Sequence, residues 1–194
     1  MGLAPDERHC ASGAALLGFA CFCIISSGIY ILNDVHDRNE DRLHPGKRSR
    51  PVASGAIAVP SALLAALVLL GAGLGGAAAL DTGFALVALC YVGLQAAYTF
   101  LLKHVTLVDV IMIGLGFVLR AVAGTVLVHV DLSHWLVLCT FTLCLFMGFS
   151  KRRCELTDLA VNGGGDAAAH RRTLAEYTPE LLNHMTTLTA GIAV

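Results

Sequence analysis

The sequence predicts an all-α protein built as a polytopic bundle of transmembrane helices. Three observations lead there. Of 194 residues, 56% are apolar and only 14% charged, whereas about a quarter of an ordinary soluble domain is charged. The few charges are segregated: residues 56–80 and 82–102 hold no Asp, Glu, Lys or Arg, and each run is long enough for the roughly 20 residues a helix needs to cross the hydrocarbon. The apolar stretches are also solid, unlike the alternating segments of about ten residues in a barrel, so helices are what satisfies the backbone in lipid.

The first element is Ser12–Leu32. Its length, and the lack of a small-residue cleavage site before the acids that follow, make it a span and not a signal peptide. Ala56–Leu80 and Thr82–Leu102 are the second and third spans, with Asp81 between them. Residues Gly71–Gly76 (GAGLGG) fit the spacing GxGxxG, but a dinucleotide loop needs a strand before it. Inside a charge-free run, small residues at a helix–helix contact are the better reading. Leu107–Val130 and Ser133–Ser150 are the fourth and fifth spans, and a sixth begins after Pro179. Residues 179–194 are short for a crossing, so the sequence reads as one membrane domain, 1–194, that stops in mid-helix. The seven cysteines form no CxxC pair and are read as reduced thiols. The net charge of −1 says little about partners, and no nucleic-acid partner is expected.

Loop charge sets the expected orientation. The loop after the first span carries Arg38, Arg42, Lys47, Arg48 and Arg50; the loop after the third carries Lys103; the loop after the fifth carries Lys151, Arg152, Arg153, Arg171 and Arg172. These alternate loops share one face, which the excess of Lys and Arg makes cytoplasmic. The N-terminus then lies outside, and a preceding helix missing from the chain is an easy explanation.

The acids are concentrated where the first span ends. At about 100° per residue, and with Asp37 at zero, Asn33 falls near −40°, Asp41 near +40° and Asp34 near +60°. If the helix continues past the membrane, all four share one stripe. Carboxylates so placed repel one another, and the helix C-terminus disfavours them further. A divalent cation removes that cost, and Mg²⁺ favours a few carboxylates together with phosphate oxygens. A solvated helix end is the plainer alternative. Lys47, Arg48 and Arg50 follow at once, as a point charge and two planar forks suited to phosphate. Acids holding a metal beside cations suit a diphosphate.

These residues carry a resemblance. Asn33-Asp34-x-x-Asp37-x-x-x-Asp41, His44-Pro45-x-Lys47-Arg48-x-Arg50-Pro51 and Ala53-Ser54-Gly55 resemble the first signature of the UbiA superfamily of intramembrane prenyltransferases. The likeness continues through Tyr98-x-x-x-x-Lys103, Arg120 and the loop after the fifth span. It implies a helical bundle of about nine spans, of which this chain would hold about six, with a polar cavity open to the cytoplasmic side of the plasma membrane. It also implies that Asn33, Asp34, Asp37 and Asp41 bind Mg²⁺, with Asp37, Asp41 and Lys47 at the catalytic centre.

The chain departs from the family after the fifth span. Where two acids of a second Asp-rich motif are expected, it has SKRRCELTDLA, with Lys151, Arg152, Glu155 and Asp158. This form, together with Leu174, Tyr177 and Thr178, most resembles the branch that moves 5-phosphoribose from phosphoribosyl diphosphate to decaprenyl phosphate, a polyprenyl phosphate lipid, on the way to arabinose donors for the cell wall. On that resemblance the substrate-binding set is Lys47, Arg48, Arg50, Lys103, Arg120, Lys151, Arg152, Glu155 and Tyr177. Simple anchoring of the fifth helix by its cations, with Glu155 and Asp158 pairing to them, stays open. Arg120 lies deep in the fourth span, where an unpaired charge costs at least ~2.5 kcal/mol; ligand phosphate or Asp109 is its expected partner. His129 and His134 are read as interfacial. The alternatives are prenylation of an aromatic acceptor, which the 7% aromatic content mildly disfavours, and a transporter, which would place more charge near the midplane.

Overall fold

A computed structural model describes residues 5–43, 46–103, 105–161 and 177–193. Its helices run in the order α1 (Pro5–His36), α2 (Arg38–Leu43), α3 (Pro51–Ser54), α4 (Val59–Leu80), α5 (Thr82–Ala97), α6 (Val108–Leu127), α7 (His134–Val161) and α8 (Pro179–Ala193). Five segments are long and apolar enough to cross a membrane: Ser12–His36, Val59–Leu80, Thr82–Leu102, Val108–Leu127 and His134–Thr157. These are the five spans expected, and no strand occurs among the described residues. The expected sixth forms α8, whose 15 residues fall short of a crossing. His44, Pro45, Arg171, Arg172, Leu174 and the stretch 162–166 lie outside the described residues, as does the side chain of Asp158.

The chain divides into two compact units, Met1–Ala96 with Leu119–Asp131, and Ala97–Val118 with Leu132–Val194. In the first, α1 and α4 pack along their lengths. Lipid is as apolar as leucine, so helices associate there by close packing, and small residues permit it. α4 turns Ala62, Ala66, Gly73 and Ala77 inward, while its Leu64, Leu67 and Val68 face outward. A Cβ at Gly73 would lie 2.5 Å from Ile25 Cγ1 and 3.2 Å from the Ile25 backbone nitrogen. Of the GAGLGG stretch only part therefore serves the helix contact; Gly71 and Gly75 face open space. Phe22 completes the core, edge-on to Phe84 and Tyr91 at centroid distances of 5.5 and 5.4 Å.

Helix ends follow local chemistry. Arg50 is extended (ψ 142°) before Pro51, which opens α3, and Gly55 (φ 85°) closes it in the left-handed region. Asp81 is extended (φ −162°, ψ 140°) and ends α4, while its carboxylate accepts the Phe84 N–H at 2.7 Å and caps α5. One residue thus makes the whole turn between two spans. The third span finishes as a five-residue π-helical turn, Tyr98–Leu102, closed by the Lys103 N–H to the Tyr98 carbonyl at 3.0 Å.

In the second unit α7 packs on α8 around Val110, Phe149, Tyr177 and Leu182. Gly148 lets α7 approach Val110 of α6, where an added Cβ would come within 2.5 Å. At 1.5 Å per residue, the 32 residues of α1 and the 28 of α7 both overshoot a hydrocarbon layer of about 30 Å. Each carries its charged last turns out of the apolar layer.

Candidate active site

The acidic stripe forms at the end of α1. The helical hydrogen-bond ladder crosses the break at Asp37: the Asp37 N–H reaches the Asn33 carbonyl and the Asp41 N–H reaches the Asp37 carbonyl, both at 2.8 Å. The one-face arrangement therefore survives the change from α1 to α2. Asn33 Nδ2 donates to Asp37 Oδ2 at 3.2 Å. Asp41 is buried, 3% exposed.

The segment that follows folds back on the stripe. Arg42 Nε donates to the Ala53 carbonyl at 2.8 Å, and the Ile57 N–H to the Pro51 carbonyl at 3.0 Å. The fold-back brings Arg50 to the acids: its Nη1 donates to Asp34 Oδ1 and to Asp41 Oδ2, each at 2.9 Å. Lys47 is half-buried and acts electrostatically on Asp34, and Arg48 is exposed. A guanidinium thus occupies the place between two carboxylates where a cation is needed. Among the described residues no three His, Cys, Asp or Glu side chains converge tightly enough to ligate an ion. The donors are nonetheless carboxylate and amide oxygens at a hydrated helix end, the set that suits Mg²⁺. By the chemistry of its donors the set suits that ion, and Arg50 stands between two of them.

Beside this region the first unit holds a cavity of about 610 Å³, lined by residues that include Phe19, Phe22, Ser26, Tyr30, Phe84 and Arg120. Its lining is mostly apolar, with Ser26, Ser27, Tyr30 and Arg120 as polar members. The guanidinium of Arg120 lies 5.0 Å from the centre of the Tyr91 ring, and its Nη2 donates to the Tyr91 hydroxyl and, at 3.3 Å, to Ser26 Oγ. A cation over an aromatic face is partly compensated for its loss of water. The sequence pointed to Arg120 but not to Tyr91 or Ser26, since nothing in spacing marks partners 29 and 94 positions away.

The second unit contains the other charge cluster, and it is buried. Asp109 is 0% exposed. Its Oδ2 accepts from Arg152 Nε at 3.1 Å and Nη2 at 2.9 Å. Its Oδ1 accepts from the Val110 N–H and from the Tyr177 hydroxyl, both at 2.8 Å. Tyr177 in turn accepts the N–H of Leu107 at 2.9 Å, and Leu107 sits in the left-handed region (φ 69°). Burial, then the bond donated to Asp109, push the Tyr177 phenol well above its ordinary range, against a smaller opposing effect of the Leu107 N–H. Arg152 also donates through Nη1 to Glu155 at 2.8 Å.

This alters two expectations. The ion pair of Asp109 is with Arg152, not Arg120. Glu155 pairs with Arg152 three residues before it, one of the cations open to it, and Lys151 is exposed. Arg152 and Tyr177, expected on the donor, turn inward to Asp109, because a carboxylate inside the bundle needs every donor it can reach. Lys103 is also buried, 5% exposed, just past the π-helical turn. The described cysteines are free. His129 Nδ1 lies 3.2 Å from the Leu127 carbonyl, and His134 opens α7.

Comparison with known proteins bears on the whole arrangement. The family model "UbiA prenyltransferase family" matches residues 2–193. A decaprenyl-phosphate phosphoribosyltransferase of Mycobacterium tuberculosis is 38% identical over 178 residues, covering 92% of this chain and 58% of that protein. One of Mycolicibacterium smegmatis is 38% identical over 193 residues, covering 100% and 59%. The chain therefore spans somewhat over half the length of these curated relatives. Among solved structures, a UbiA homolog from Archaeoglobus fulgidus bound to DMAPP and Mg²⁺ superposes with a TM-score of 0.77 at 23% identity, covering 93% of this chain and 63% of that one; that likeness bears on the fold. With the signature from Asn33 to Gly55 in place on a matching fold, the chain belongs to the UbiA prenyltransferase family.

Proposed function

We propose that the protein is a membrane transferase that moves 5-phosphoribose from phosphoribosyl diphosphate to a polyprenyl phosphate such as decaprenyl phosphate. The observation that carries this reading is the 37–38% identity, over 92% or more of the chain, to decaprenyl-phosphate phosphoribosyltransferases. The loops bearing Lys47–Arg50 and Lys151–Arg153 are taken as cytoplasmic, on the positive-inside argument.

In this reading Asn33, Asp34, Asp37 and Asp41 hold Mg²⁺. When bound, the ion supplies charge stabilisation to the departing diphosphate. Lys47 and Arg50 grip the diphosphate as point charge and fork, and exposed Arg48 extends the basic surface. As the C1–oxygen bond to diphosphate breaks, positive charge develops at ribose C1, and an oxygen of the polyprenyl phosphate forms the new bond there. That oxygen is already anionic, so no strong general base is required. Arg120, bonded to Tyr91 and Ser26, offers a fixed positive charge in the wall of a mostly apolar cavity, a setting suited to a lipid whose head is a phosphate. On the second unit Lys151 and Arg153 present a separate basic surface, and Glu155 is held by Arg152. There Arg152 and Tyr177 act by holding the helix ends.

The test is transfer of label. Membranes containing the protein are incubated with labelled phosphoribosyl diphosphate and polyprenyl phosphate, and label is sought in the lipid fraction. Label that depends on both substrates is the expected result. Turnover of an isoprenyl diphosphate with an aromatic acceptor, and none of phosphoribosyl diphosphate, would overturn it.

A further inference from the structure

We infer that Arg50 is an exchangeable counter-ion which makes binding of the divalent ion and binding of the diphosphate depend on each other. The inference rests on the reading of the acidic stripe as the metal site. Two carboxylates from different turns, Asp34 and Asp41, converge on the single nitrogen Arg50 Nη1 at 2.9 Å each. Such convergence is costly without a cation between them, and a guanidinium and a divalent ion cannot share the position. Metal binding therefore requires Arg50 to leave.

Arg50 is built to leave by a side-chain movement alone. Its backbone is fixed: Pro51 holds it extended, its N–H is bonded to the Lys47 carbonyl at 2.9 Å and its carbonyl to the Ser54 N–H at 2.8 Å. Arg42 ties α2 to Ala53 of α3. The side chain, by contrast, is 38% exposed and Asp34 is 31% exposed, while Asp41 is 4% exposed, so whatever displaces Arg50 must take over the charge of Asp41. The half-exposed pair with Asp34 is weak enough to be exchanged, and the pair with Asp41 can be exchanged for another cation, because the guanidinium has water to move into; Arg152, 5% exposed against Asp109, has none. Once displaced, the guanidinium keeps its charge beside the site and needs a new anion. Diphosphate bound to the metal supplies one, in the bidentate geometry Arg prefers. The metal alone must break the pair without replacing it, and diphosphate alone meets carboxylates still facing it. Together each removes the other's cost, which is a positive coupling between two ligands.

The test uses the protein in detergent or nanodiscs and two probes, Mn²⁺ alone and labelled inorganic diphosphate at saturating Mg²⁺. Removing the counter-ion with Arg50→Gln is expected to shift the two affinities in opposite directions: Mn²⁺, read by electron paramagnetic resonance, tighter by about tenfold, and diphosphate weaker by about tenfold. Arg50→Lys, which keeps the charge and loses the fork, gives the same pattern at smaller size and serves if the glutamine variant does not fold. Weakening of both probes would make Arg50 a merely structural residue and overturn the inference. Unchanged binding of both, or no Mn²⁺ binding by any variant, would overturn it too. Inorganic diphosphate is common to sugar and isoprenyl donors, so a failed phosphoribose reading would show in lipid labelling and leave this result standing.

Discussion

Both units of the molecule join an arginine to aspartates, and they do it under opposite conditions. At the end of α1, Arg50 bridges Asp34 and Asp41 with its own side chain 38% exposed and that of Asp34 31% exposed, although Asp41 is 4% exposed. Inside the second unit, Arg152 meets Asp109 at the same 2.9 Å with side chains 5% and 0% exposed. The contact distance is therefore no guide to role. Water lowers both the cost and the worth of an exposed pair, whose contribution is typically below about 1 kcal/mol. A buried pair is held by its alternatives, since removing one partner strands the other charge away from water. The first cluster is open to water at Arg50 and Asp34 and can trade one cation for another, and the second fixes the ends of α6 and α7 and the start of α8.

Breaking the buried cluster is expected to have the largest effect. Asp109→Ala strands Arg152 and removes the acceptor of the Tyr177 hydroxyl, at a cost of about 3–5 kcal/mol. The outcome is a large loss of folded protein in detergent, read by thermal unfolding and by recovery from size-exclusion chromatography. A wild-type melting profile would deny the network its structural role.

At the other cluster the expected loss is in turnover and not in folding. Asp37→Asn keeps size and the bond to Asn33 while removing charge. Turnover is expected to fall about 10²–10³-fold, with stability within about 0.5 kcal/mol of wild type. Wild-type activity of this variant at limiting Mg²⁺ would remove Asp37 from the metal site.

Tyr177→Phe sharpens the comparison with the smallest effect. It deletes one hydroxyl between the Leu107 N–H and Asp109, at about 1–2 kcal/mol. The folded phenol titrates above its unfolded value of about 10, so its contribution is complete below pH ~10 and is lost as pH rises beyond. The stability gap between wild type and variant is expected to be constant from pH ~6 to ~9 and to narrow above pH ~10. A gap that varied with pH in the neutral range would place the titrating group elsewhere.

The spans were legible in the sequence because transfer into lipid is decided residue by residue, and charge-free runs declare themselves. Their ends were less so. The second span starts at Val59 and not Ala56, because Gly55 closes α3 and Ala58 is still extended. The first runs on to His36, carrying the acids on an unbroken ladder. The acidic stripe was legible because i and i+4 spacing is local. What spacing could not supply were lateral partners: Arg50 for Asp34, 16 residues on; Arg152 for Asp109, 43 on; Tyr177 for Asp109, 68 on. Those depend on which helices lie side by side, which close packing of small residues such as Gly73 and Gly148 determines. Arg152 shows the consequence, since its composition and position suit phosphate and only its neighbour turns it inward.

The single-residue turn at Asp81 has a consequence for how the protein is made. With no loop between them, α4 cannot complete its crossing without drawing the start of α5 to the membrane. Their entry is linked through this one residue, with the Asp81 carboxylate carried across at the turn. A lone aspartate at the centre of a bilayer costs about 2.5–3.5 kcal/mol on an insertion scale, and two long charge-free helices inserted together offset it. Biogenesis of this stretch is therefore a single event, and an epitope inserted beside Asp81 should block membrane integration of both helices at once instead of reporting their topology.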